Sequence, residues 1–135
     1  SYPVSGMVRD YIAPDYISDH PIIPHGISVA INAPSVFRFT GPSNPRRHIE
    51  AANALGLDTE GVKDEDAGEI LAQAMINYFK RFNVPNGLKD VGFSESDIPK
   101  LVEGTLPQHR VTKLSPRPAG AEELAELFRG AMRYW

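Results

Sequence analysis

Residues 20–39 read HPIIPHGISVAINAPSVFRF, and the fold turns on how this stretch is parsed. Pro24 pushes the residue before it toward extended backbone, so the run Pro21–Pro24 is an approach segment and not a helix. Gly26 lets the chain turn or come close to a ligand. Beyond it, Ile27, Ala30, Ile31, Ala33 and Val36 recur at helical spacing and describe a wide buried face. Pro34 lies inside that pattern, where it removes a backbone donor and clashes with the carbonyl near Ala30. A kink, or two abutting helices, is the expected result. His25 stands at the mouth of this buried element, where an imidazole can face a cavity. A single histidine beside apolar residues also serves as a structural group, because one donor and one acceptor partner satisfy it.

The flanks extend the helical reading. Tyr2, Val4, Met7, Val8 and Tyr11 have a loose helical spacing and read as the end of a helix. Residues 13–24 form a loop punctuated by Pro14, Asp15, Ser18, Asp19 and the prolines. His20 belongs to that loop, and residues five apart share no helix face, so a site using both His20 and His25 requires the loop to fold back. Asn44-Pro45 is a helix start, with Asn as cap and Pro in the first turn. Ile49, Ala52 and Leu55 are its stripe, and Gly56 ends it. Arg46, Arg47 and His48 on its first turn oppose the helix dipole and call for a carboxylate partner or a solvated face. Asp64, Glu65 and Asp66 suit the next N-terminus. The helix from Asp66 to Phe82, spanning ~25 Å, buries Ala67, Ile70, Leu71, Ala74, Met75, Tyr78, Phe79 and Phe82.

Residues 83–92 read as a turn. Ser94 with Asp97 predicts a capping box for a helix through Ile98, Leu101 and Val102 that Gly104 stops. Residues 105–118 read as extended and carry Gln108, His109, Arg110, Lys113 and Arg117. A last helix from about Gly120 packs Leu124, Leu127, Phe128, Ala131 and Met132, with Tyr134 and Trp135 over the end of the core. Together these elements predict a mainly α, single helical domain over residues 1–135.

Composition narrows the function. The chain has 135 residues, 41% hydrophobic and 23% charged, the balance of an ordinary globular protein. A net charge of -3 leaves no basic surplus to neutralise phosphates, so nucleic acid is not the expected partner. No uninterrupted apolar run has membrane-spanning length. The absence of cysteine excludes disulfide frameworks and thiolate zinc sites, and it is compatible with a reducing compartment.

Pro24-His25-Gly26, then Ala30, Ala33-Pro34, Val36 and Phe39, resembles the second histidine motif of the iron-containing alcohol dehydrogenases. The resemblance covers essentially the whole chain. It is carried by SYPVSG (1–6), HPIIPHGISV (20–29), DAGEILA (66–72), SESDIPKLVEGTLPQHRVTKL (94–114) and AEELAELFRGAMRYW (121–135). Within the superfamily these segments are most similar to the hydroxyacid-oxoacid transhydrogenase branch. The sequence departs from the usual pattern at Tyr2, where most members have histidine, and in Ser115-Pro116-Arg117-Pro118, where many have an Asn-Pro-Arg-Pro run.

The resemblance implies a C-terminal helical-bundle domain of the dehydroquinate synthase-like type. Family members hold iron(II), sometimes another metal such as zinc, with one Asp and three His beside a nicotinamide cofactor, NAD. His25 aligns with the last of those histidines, and the remaining ligands would precede Ser1. The branch oxidises a hydroxyacid such as 4-hydroxybutyrate and reduces 2-oxoglutarate. Tyr2, His20, Arg110 and Arg117 are candidate pocket residues; the two arginines suit a substrate carboxylate. If they read it, Arg110→Ala or Arg117→Ala should raise KM for the dicarboxylate.

No GxGxxG motif and no strand–helix alternation appear, so the nucleotide-binding α/β half is expected to be a separate, missing partner, with the chain truncated on its N-terminal side. Alone it is expected to be inactive and to bind no metal tightly. Apolar surface left by that partner predicts a homo-oligomer. The location implied is bacterial cytoplasm or, in a eukaryote, the mitochondrial matrix. The contrasting expectation is a stand-alone, non-catalytic helical interaction module.

Overall fold

The computed structural model describes residues 1–135, apart from the side chain of Val111. It is helical: α1 (Tyr2–Gly6), α2 (His25–Ala30), α3 (Ala33–Thr40), α4 (Pro45–Ala54), α5 (Ala67–Arg81), α6 (Ile98–Thr105), α7 (His109–Thr112) and α8 (Ala121–Gly130). Among the described residues no strand forms; an isolated parallel bridge joins Ile12 and Ile22. None of the described helices is long and apolar enough to cross a membrane.

Local chemistry sets most boundaries. The central apolar stretch does break into two helices, α2 and α3, with the interruption at Ile31–Asn32 ahead of Pro34. Asn44 caps α4, its Oδ1 accepting the Arg47 N–H at 3.3 Å. The acids at Asp64–Asp66 form a 3-10 turn that leads into α5, and Lys80 and Arg81 close its last turn, so both ends complement the dipole. Ser94 and Asp97 complete their capping box, and the Gly120 N–H donates to Glu123 Oε2 at 2.8 Å to start α8.

Two packed groups result. Helix α5 lies between α3 and α4, while α6 pairs with α8 and with α1. The α3–α5 crossing is so close that a Cβ on Gly68 would lie 2.7 Å from the Phe37 carbonyl oxygen, and one on Gly41 would lie 2.6 Å from the Gly68 Cα. Arg38 and Glu69 close the rim of the same crossing with two hydrogen bonds of 2.6 and 2.9 Å. The other group surrounds a core of Val4, Ile23, Ile31, Leu88, Leu101 and Phe128. Ser35 joins α3 to α8 by donating to the Leu127 carbonyl at 2.8 Å.

Several sequence expectations need correction. Helix α1 ends at Gly6; Met7, Val8 and Tyr11 reach the core from irregular chain, so their spacing reflects packing without helix. Gly104 does not stop α6, which runs on to Thr105. It instead admits Pro3, whose Cβ would be 3.0 Å from a Cβ at that position. Residues 105–118 are not extended throughout: α7 forms there, with the Thr112 N–H donating to the Gln108 carbonyl at 3.0 Å. Phe82, assigned to the buried stripe, is 62% exposed. It falls just past the end of α5 and stacks on Tyr78 with centroids 5.9 Å apart. Helix α5 instead buries Ala72 and Ile76, because it has a neighbour on each side.

The partner of the α4 arginines lies on their own helix. Arg46 and Arg47 both donate to Glu50, at 2.9 and 3.0 Å. His48 is held by the Asn44 carbonyl and the Thr40 hydroxyl, each at 2.9 Å.

Candidate functional site around His25

Helix α2 begins at His25 because Pro24 is extended (φ -51°, ψ 139°) while its carbonyl already accepts the Ser28 N–H at 3.0 Å. That geometry leaves the His25 side chain exposed at the first helical position. Tyr2, the first residue of α1, approaches it with ring centroids 6.0 Å apart and planes tilted by 39°. Arg110 of α7 lies over the other aromatic partner, its Cζ 4.9 Å from the Tyr2 ring centroid. Arg110, Tyr2 and His25 therefore form a row contributed by three helix segments that are distant in sequence. Tyr2 is 43% exposed, so the row is open to solvent and to whatever binds beside it.

The segments that carry these side chains are tied down. Arg9 pairs with the buried Asp97 at the entrance to α6 and also reaches the Gly92 carbonyl at 3.4 Å. Hydrogen bonding from Arg9, then from the Ser94 backbone N–H, holds the Asp97 carboxyl down at about 2. This ties the chain leaving α1 to the element on which α1 packs. Under α2, the fully buried Ser28 donates to the His25 carbonyl at 2.8 Å, and Asn32 Nδ2 donates to the Ser28 carbonyl at 2.7 Å.

The other two pocket candidates are elsewhere occupied. His20 stays in its loop, Nδ1 lying 2.6 Å from Asp19 Oδ1, with the ring largely exposed. Arg117 donates to the Phe39 carbonyl at 2.5 Å and lies over the Phe39 ring at 4.2 Å, which fastens the segment before α8 to the end of α3. The structure thus brings together His25, Tyr2 and Arg110 and leaves His20 and Arg117 with partners away from them. Sequence reasoning did not single out Ser28, Asn32 or Ser35. Their one signal was placement: Ser28 and Ser35 lie three before and four after Ile31, on the side that the apolar pattern buries.

Among the described residues no cluster of three or more His, Asp or Glu side chains forms that could hold an ion. The His25 ring has no hydrogen-bond partner among the described residues, and an unengaged imidazole is a fitting ligand for a divalent transition metal. The donor set of this chain therefore fits a metal only as one ligand among several.

The chain belongs to the iron-containing alcohol dehydrogenase family: the family profile described as "Fe-containing alcohol dehydrogenase family, C-terminal" matches residues 19–132. Over all 135 residues it is 52% identical to the mitochondrial hydroxyacid-oxoacid transhydrogenase of Xenopus laevis and 49% identical to that of Homo sapiens, covering 29% of each. A probable hydroxyacid-oxoacid transhydrogenase of Dictyostelium discoideum is 48% identical over 133 residues, 98% of this chain and 24% of that protein. The chain thus spans less than a third of the length of these relatives. Its fold matches a crystal structure of 1,3-propanediol oxidoreductase with a TM-score of 0.73 and 29% identity, over 82% of this chain and 28% of that one.

Proposed function

We propose that residues 1–135 act as one helical domain, the C-terminal metal- and substrate-facing part of an iron-dependent, nicotinamide-linked hydroxyacid-oxoacid transhydrogenase. The observation that carries this reading is the row of Arg110, Tyr2 and His25, in a chain about half identical along its whole length to proteins of that name. When bound, NAD would carry hydride from a hydroxyacid such as 4-hydroxybutyrate to an oxoacid such as 2-oxoglutarate, and iron(II), or zinc in its place, would polarise the reacting oxygen.

The residues of this chain bind and orient. His25 would supply a ring nitrogen to the metal. Arg110 offers a planar fork of donors to a substrate carboxylate, and such pairs are bidentate and directional. Tyr2 touches both; its ring holds the guanidinium by a cation–π contact, and its exposed part would wall the space beside them. The nicotinamide site and the remaining metal ligands belong to sequence outside this chain. The exposed Ile12, Tyr16, Ile17 and Val29 supply apolar surface for association with that part and for a homo-oligomer. The location proposed is the mitochondrial matrix for a eukaryotic source, as the names of the relatives have it, and the cytoplasm for a bacterial one.

The test is His25→Ala in the full-length protein, with iron content by elemental analysis and turnover of 4-hydroxybutyrate with 2-oxoglutarate. The expected result is iron falling well below one per chain and turnover falling at least a hundredfold, with the helical circular dichroism unchanged; removing a ligand does more than the ~10- to 100-fold loss from removing its outer partners. Full iron occupancy together with full turnover in His25→Ala would remove the proposal.

A further inference from the structure

Besides the bond that Pro34 has no N–H to make, the α2–α3 break leaves the next helical hydrogen bond unmade. In a continuous helix the Ile31 carbonyl would accept the Ser35 N–H, four residues on. Here a side chain from the far end of the chain takes that place. The Tyr134 hydroxyl donates to the Ile31 carbonyl at 2.7 Å. The phenol O–H thus supplies the donor that the Ile31 carbonyl lacks at the break. Insertion of a side chain into the helical ladder is a recognised cause of a fixed bend.

Tyr134 is itself firmly seated. Its backbone N–H donates to Oδ1 of the buried Asn86 at 2.7 Å, its ring lies 6.3 Å from that of Phe79, and the Arg38 guanidinium lies 5.8 Å from its centroid. From the Ile31 end, hydrogen bonds run back along α2 to its start. Asn32 Nδ2 holds the Ser28 carbonyl, and Ser28 Oγ holds the His25 carbonyl. Helix α2 has only six residues, too few to hold its own direction in water.

We propose that Tyr134 is a positioning residue for His25: its hydroxyl, set into the α2–α3 break, fixes the direction of the short helix whose first residue presents the imidazole. The inference rests on the reading of His25 as a metal ligand. It concerns how that ligand is aimed, so loss of the hydroxyl should be read in metal affinity and not only in stability.

The experiment compares Tyr134→Phe, Tyr78→Phe and His25→Ala in the full-length protein, measuring iron(II) affinity by chelator competition and Tm in the same samples. Tyr78 is the control, because its hydroxyl also donates to a backbone carbonyl, that of Leu55 at 3.3 Å, away from α2. Tyr134→Phe is expected to weaken iron binding about tenfold, the lower end of what removing an outer support of a ligand costs. Tyr78→Phe is expected to leave affinity unchanged for a similar fall in Tm. If His25→Ala lowers affinity and Tyr134→Phe does not, the positioning role is overturned while the ligand reading stands. If His25→Ala has no effect, the ligand reading fails, and this proposal with it. Should Tyr134→Phe not fold, Ser28→Ala interrupts the same chain of hydrogen bonds one step from His25; weaker iron binding there supports the role, and unchanged binding refutes it.

Discussion

Replacing Gly68 by alanine is a direct trial of the backbone contact between α3 and α5. The new Cβ would sit 2.7 Å from the Phe37 oxygen, 3.0 Å from the Arg38 Cα and 3.1 Å from the Arg38 oxygen. All three are main-chain atoms of α3, so no side chain can swing away. The helices would have to part by roughly half an ångström or more, and overpacking of this kind costs about 1–3 kcal/mol. Alanine returns about 1 kcal/mol of helix propensity, and because all three clashes are with main chain the cost falls at the upper end of that range, which leaves a net loss of about 2 kcal/mol. For a chain of this length that corresponds to a fall in Tm of about 4–8 °C. Gly6→Ala is the matched control, because a Cβ there meets nothing within 4 Å; it is expected to be neutral or to raise stability by up to about 1 kcal/mol. Urea titrations followed by far-ultraviolet circular dichroism measure both. Equal or greater stability of Gly68→Ala than of the parent would refute the close-contact argument.

Asp97→Asn is expected to cost about 1 kcal/mol at pH 7, a figure reduced for the solvent around Arg9. The Asp97 carboxyl is held at about 2, below its unfolded value, so the contribution is complete above about pH 4 and is lost as pH falls through 2. Urea titrations should show the gap between parent and variant closing between pH 4 and 2; a constant gap argues against the ion pair. Arg110→Ala in the full-length enzyme should raise KM for the oxoacid at least about tenfold, in line with the ~1.5–3 kcal/mol of a charged hydrogen bond, whereas Arg117→Ala should lower Tm with little change in KM. An equal KM effect from both would place Arg117 in the pocket as well. Asn86→Ala removes the acceptor for the Tyr134 and Trp135 N–H groups and should cost about 1–3 kcal/mol. It should also speed hydrogen exchange at those two amides, and unchanged exchange would count against the clamp.

Much of the fold was legible where local chemistry decides it. Asn44-Pro45, the Ser94–Asp97 box, the break near Pro34 and the stripe of α5 all follow from caps, ring constraints and period. The errors arose where a distant neighbour decides. Gly104 reads as a stop until Pro3 is seen to need the space, and Met7 to Tyr11 read as helix because burial from irregular chain mimics helical spacing. Ile76 and Ala72 were overlooked because a helix with neighbours on two sides buries more than one stripe.

The candidate site was legible only by resemblance. His25, Tyr2 and Arg110 share no local pattern, and their meeting depends on α1, α2 and α7 converging in space. Arg110 and Arg117 are chemically alike and seven residues apart, and only the structure sends one to Tyr2 and the other to Phe39.

The Tyr134 hydroxyl and the Ile31 carbonyl are 103 residues apart in sequence, so the contact that completes the break is among the longest-range closures in the chain. Closing so long a loop has a large entropic cost unless intervening structure has already formed, and contacts of this range form slowly. Helices α3, α4 and α5 can assemble from neighbouring sequence as it is synthesised. Helix α2, although made earlier than any of these, has to wait for Tyr134 before its direction is set. The order of synthesis and the order of structural completion are therefore reversed at the element that carries His25.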